Sequence, residues 1–208
     1  SDLASDGSDL AFGADEGGVI TVYPHEIERW DPDGTSLVWV RMPRLTSEKK
    51  LTFWWFPWDG ADLPEADSKV VWNDYLGVWH MDEEIPSGEE AATAVSSDAT
   101  GRGLDILPGK GSVGDVRRMR SVAGVVGNAR VIDSDATAAT IKQLGNRLVV
   151  PGKSLSLGNT FTFSTWIKID GYGNGRWPQI ACMKATNSSG NGWSIEHSTT
   201  RRNLYVRG

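Results

Sequence analysis

The sequence predicts an all-β protein, and three observations carry that prediction. The chain of 208 residues holds 10 Trp, 24 Gly and 9 Pro, a composition of short strands broken by frequent turns. Residues 160–169 alternate cleanly: Phe161, Phe163, Thr165, Ile167 and Ile169 fall on one face, and Thr162, Ser164, Trp166 and Lys168 on the other. No stretch keeps a helical period beyond two or three turns, Ala91 to Val95 being too short, and no repeat of fixed period is found.

Residues 1–18 read as an acidic, polar opening with Asp2, Asp6, Asp9, Asp15 and Glu16. Val19 to Tyr23 is β-branched and predicts a strand. Glu26 to Trp30 alternates charge with bulk and predicts another. Asp31-Pro32-Asp33-Gly34 is a turn: proline presets φ at its second position and the closing glycine permits a positive φ. Leu37 to Met42 and Leu51 to Phe56 predict two further strands across the charged turn Ser47-Glu48-Lys49-Lys50. Together these predict a small N-terminal antiparallel β module.

Pro57 to Asp67 carries two prolines, a glycine and four acids and reads as a linker. The chain therefore divides into residues 1–67 and 68–208. In the second part, Tyr75 to Met81 predicts a Trp-bearing strand and residues 82–121 a Gly-rich loop region. The cluster Arg117-Arg118-Met119-Arg120 within it reads as a solvated face. Ala129 to Ile132, Arg147 to Val150, Thr160 to Ile169, Gln179 to Lys184 and Trp193 to His197 complete the strands. The last two are split by the turn Asn187 to Gly192.

A formal charge of −6 argues against a large basic surface and so against nucleic acid as a partner. The single cysteine, Cys182, excludes an internal disulfide framework. Its apolar run Gln179 to Met183 predicts a buried, inert thiol. No apolar run approaches the roughly 18 residues of a transmembrane helix. The chain opens on Ser1 without a secretory leader, as a mature form or an excised piece would.

Four stretches resemble bacterial laminin-G-like domains of the concanavalin A-like lectin/glucanase superfamily, in that family's order. They are Val71 to Glu83 (VWNDYLGVWHMDE), Asp98 to Gly103 (DATGRG), Gly124 to Asp133 (GVVGNARVID), and Leu148 to Pro151 with Ser154 to Leu157 and Phe161 to Ile167. The resemblance spans about residues 71 to 208. It implies a jelly-roll β-sandwich over residues 68–208. Gly7 to Phe12, His25 to Asp31 and Ser36 to Pro43 resemble an uncharacterised bacterial and archaeal family that commonly precedes such domains. Some proteins resembling this pair also carry a proton channel of the biopolymer-transport type. The resemblance implies an extracytoplasmic protein: secreted, periplasmic or cell-surface. Both ends depart from the families. A Trp-Tyr strand is missing before Gly7 and a W-x-H-V strand is missing after Arg207, so the expectation is a fragment whose sandwich lacks its return strands.

Several residues are candidates for chemistry. Glu26 and Glu28 share a strand face with Asp31 shortly beyond, and glycosidases of the superfamily use three acids at similar spacing. The match lies before the sandwich. It has Glu in place of the family's central Asp and Asp in place of its last Glu, so a solvent-facing strand edge is the preferred reading. Asp82, Glu83 and Asp98 are candidates for a structural calcium, a strand-end pair of acids plus a Gly-rich loop. Tyr172 and Trp177 flank a glycine loop and are candidates to stack on sugar rings. Trp39, Trp72, Trp79 and Trp166 read as packing residues, and of Trp54-Trp55 one ring faces each way. His25, His80 and His197 show no metal-binding spacing, and His80 reads as hydrogen-bonded within a strand. No nucleophile motif, phosphate loop or dinucleotide fingerprint is present. The expected function is a non-catalytic, carbohydrate-binding recognition or adhesion module. The alternatives are a structural ectodomain among envelope proteins and, ranked last, a glycoside hydrolase.

Overall fold

The structure is a computed structural model that describes residues 3–15, 18–42, 53–57, 67–85, 96–108, 120–131, 148–150, 157–158, 160–170, 179–184, 192–198, 201 and 203–207. Among these the protein is all-β apart from one helical turn. The strands are β1 (Leu10–Asp15), β2 (Ile20–Val22), β3 (His25–Arg29), β4 (Leu37–Val40), β5 (Phe53–Pro57) and, after the short helix α1 (Ser68–Val71), β6 (Leu107–Pro108). They continue with β7 (Arg120–Ala123), β8 (Asn128–Val131), β9 (Leu148–Val149), β10 (Gln179–Lys184), β11 (Gly192–His197) and β12 (Leu204–Arg207). All pairings are antiparallel and make small sheets, ordered β2-β1-β5, β10-β11-β12, β3-β4, β6-β9 and β7-β8. Among the described residues no helix is long and apolar enough to cross a membrane.

Strand β1 lies in what the sequence presents as an acidic opening. Its Leu10-Ala11-Phe12-Gly13-Ala14 has few β-branched residues, so propensity gives no strand signal. Position decides instead: β1 is the middle strand between β2 and β5, and Ala11 and Ala14 are fully buried there. Small side chains suit a strand covered on both faces. β4 pairs with β3, its neighbour across the Asp31 turn, whereas β5 pairs with β1. Cys182 on β10 is exposed rather than buried, and among the described residues β10 pairs only with β11.

The Asp31 turn forms as predicted, closed by Gly34 N–H donating to the Asp31 carbonyl at 3.3 Å. Its glycine is needed for space rather than for a positive φ. A Cβ on Gly34 would collide with the Asp31 carboxylate, which accepts from the Asp33 N–H at 3.1 Å.

Residues 75–81 form no strand, although the sequence predicts one. Their backbone groups are satisfied by loop and side-chain partners rather than by a ladder. Val78 N–H donates to Asp98 Oδ1 and the Val78 carbonyl accepts from Ala99 N–H. The Arg102 guanidinium donates to the Tyr75 and Asn73 carbonyls at 3.1 and 2.7 Å. Asp67 caps α1 through the Lys69 N–H, and its own N–H donates to the His25 carbonyl, which docks the helix on β3.

The clearest strand of the sequence is likewise absent. Residues 160–170 belong to no strand and are exposed throughout, on both alternating faces. Phe161 and Phe163 touch the Trp193 ring of β11, with centroids 4.9 and 6.2 Å away, and Trp166 is 76% exposed, not packed. Alternation records a capacity to pair; a ladder also needs a neighbour.

Candidate functional site

Among the described residues, polar, titratable and aromatic side chains converge on the β3–β4 hairpin. Glu26 and Glu28 are two apart on β3 and so face the same way. A bulge between Ile27 and Arg29 leaves Glu28 as the extra residue, opposite no single partner on β4. Glu26 pairs in register with Trp39, whose indole N–H reaches diagonally to Glu28 Oε2. From the end of α1, the Trp72 indole N–H donates to Glu26 Oε2.

His80 sits between the two acids. Its Nε2 lies 3.2 Å from Glu26 Oε2 and its Nδ1 lies 3.5 Å from Glu28 Oε2. The imidazole stacks on Trp39 at 5.9 Å and lies tilted to Trp72 at 5.6 Å. The two indoles meet edge to face at 5.3 Å. The β7–β8 turn closes the far side, where Gly127 at φ 56° lies so near Glu28 that a Cβ would strike Oε1. Glu28 is only 2% exposed at its side chain, so the predicted solvent-facing strand edge is in fact an enclosed pair of carboxylates.

Electrostatics follow from that enclosure. Burial disfavours the imidazolium of His80. The Glu26 hydrogen bond and the charges of Glu26, Glu28 and Asp82 outweigh burial and raise its pKa above the usual 6.5. With both ring nitrogens aimed at carboxylates, the doubly protonated ring satisfies the geometry best. Asp31, the third acid of the glycosidase-like pattern, is held in its turn, where its carboxylate accepts from the Asp33 N–H.

The calcium candidates separate. Asp98 is buried, and its oxygens are filled by the N–H groups of Val78, Thr100 and Leu104 and by the Thr100 hydroxyl at 2.7 Å. Burial pushes its pKa up; these donors more than compensate and hold it below the usual carboxylate value. The loop depends on Gly101, at φ 71° against the Lys69 methylenes. Glu83 pairs with Arg130 at 3.0 Å, and Asp82 is exposed. Among the described residues no group of three His, Cys, Asp or Glu side chains is placed to hold a metal ion. Tyr172 and Trp177 lie outside the described residues.

Arg130 is a structural residue that the sequence did not single out. Its buried guanidinium donates to the Glu83 carbonyl and carboxylate, to Ser121 Oγ at 2.6 Å and to Ser96 Oγ at 3.1 Å. It ties β8 to β7, to Ser96 and to the segment that carries His80. Between His80 and Glu83 stands Met81 at φ 61°, a conformation that an unbranched side chain adopts only under constraint. Comparison with protein-family models, with curated proteins and with solved structures finds no match.

Proposed function

We propose that this chain is a non-catalytic recognition module with carbohydrate as its ligand class, built on a concanavalin A-like sandwich and working outside the cytoplasm. The observation that carries the reading is the direction its groups face. A glycosidase needs one free carboxyl to donate a proton and a second free to attack or to activate water. Here Glu26 and Glu28 point inward, each accepting an indole N–H and each held by His80. The Trp166 ring, by contrast, is 76% exposed, and Tyr172 and Trp177 follow it in the sequence. Exposed indole faces stack on the apolar faces of sugar rings, and adjacent polar groups such as the Lys168–Asp170 pair supply hydrogen bonds to hydroxyls. The ordered resemblance of residues 71 to 208 to laminin-G-like domains supports the same class.

A glycan array on the folded chain tests this. The expected result is saturable binding to one glycan class that is lost in Trp166→Ser and Trp177→Ala. Silence from a sample shown to be folded overturns the reading in favour of a structural ectodomain of an envelope assembly.

A further inference from the structure

We propose that His80 is a proton-operated latch: carrying both ring protons it bonds Glu26 and Glu28 of β3 to the segment 67–82, and losing one of them loosens that join. The argument begins with geometry. One imidazole spans two carboxylates of the same strand, at 3.2 and 3.5 Å, and the ring itself belongs to a segment 54 residues further along the chain. A neutral ring can donate from one nitrogen only, so the other would then set a lone pair against a carboxylate.

Among the described residues, those facing His80 offer no substitute cation. Facing His80, β3 brings Glu26 and Glu28, and its own segment brings Asp82. Strand β4 and α1 bring the indoles of Trp39 and Trp72, and the β7–β8 turn brings the uncharged Gly127 against Glu28. The nearby Arg41–Asp74 pair, 2.7 Å long and solvent-exposed, ties the end of β4 to the same segment without involving His80. The latch therefore loosens without complete separation.

The sign follows from linkage. The folded pKa of His80 is raised above 6.5, so its stabilisation is complete below 6.5 and is lost as pH rises through the raised value. His25 supplies an internal contrast on the opposite face of β3. It is buried beside Phe12 with no partner on Nδ1 among the described residues, and burial lowers its pKa below 6.5. Its contribution is present above 6.5 and lost as pH falls through the lowered value. The two histidines thus act on opposite sides of pH 6.5.

Imidazole NMR on the full labelled chain, with indole N–H exchange of Trp39 and Trp72 corrected for intrinsic pH dependence, tests the latch. His80→Gln identifies the His80 resonance. The expected result is that His80 titrates above 6.5 and that indole protection is lost along the same curve. In Glu26→Gln the His80 curve moves down, and in His80→Gln the indole protection no longer follows pH. Titration of His80 at or below 6.5, or indole protection unchanged through its titration, overturns the proposal. The wild-type curves alone decide the matter should a variant fail to fold.

Discussion

Two regions of this molecule show opposite relations between sequence pattern and structure. Residues 25–40 read as two strands with a solvent-facing edge of acids and 75–81 as a separate Trp-bearing strand, yet with α1 they enclose two glutamates, a histidine and two indoles. Residues 160–169 read as the clearest strand of the chain, half-buried in a sheet, yet every one of them is exposed. The difference teaches that burial follows from complementary partners rather than from hydrophobicity alone. In the first region the Glu26 and Glu28 carboxylates, the His80 imidazole and the two indole N–H groups meet partners from other elements, which offsets the cost of desolvating them. In the second, Phe161 and Phe163 touch the Trp193 ring of β11, but no strand among the described residues pairs with the segment.

Two variants sharpen this contrast. The larger effect belongs to Arg130→Met. The Arg130 side chain is 2% exposed and its Glu83 partner 32%, so removing the cation strands a partly solvated carboxylate. Breaking a buried pair costs about 3–5 kcal/mol, and the solvation left to Glu83 reduces this to about 2–3 kcal/mol. Urea denaturation should show a lower midpoint with an unchanged slope. The smaller effect belongs to Trp166→Ser, whose ring is 76% exposed. Its unfolding free energy should stay within about 0.5 kcal/mol of wild type, as for surface changes generally. A large loss there would mean that residues 160–170 pack against a surface that the exposure does not reveal.

Much of the strand content was legible in the residues. Strands β2, β3, β4, β10 and β11 fall where β-branched and alternating residues predict them, because there local propensity and pairing agree. β1 was hidden because alanine and glycine carry no strand signal, although they suit a middle position. Residues 75–81 were misread because their Trp and Val content suits a strand, while the Asp98 and Arg102 side chains capture the backbone first.

The site was half legible. The shared face of Glu26 and Glu28 follows from a spacing of two residues. Trp72 and His80, which lie 46 and 54 residues beyond Glu26, carry no local mark of belonging to it. The Asp98-Ala99-Thr100-Gly101 stretch did carry a readable signal, an acid able to accept from the N–H two residues on beside a glycine in left-handed conformation.

The central claim is that Glu26 and Glu28 hold the structure together rather than perform chemistry. The most direct test pairs polysaccharide hydrolysis with unfolding, on the wild-type chain and on Glu28→Gln. The account predicts no release of reducing sugar by either protein. It also predicts a loss of about 1–2 kcal/mol of stability in the variant, from the weakened contact with His80. Hydrolysis by the wild type that Glu28→Gln abolishes, at unchanged unfolding midpoint, would contradict it.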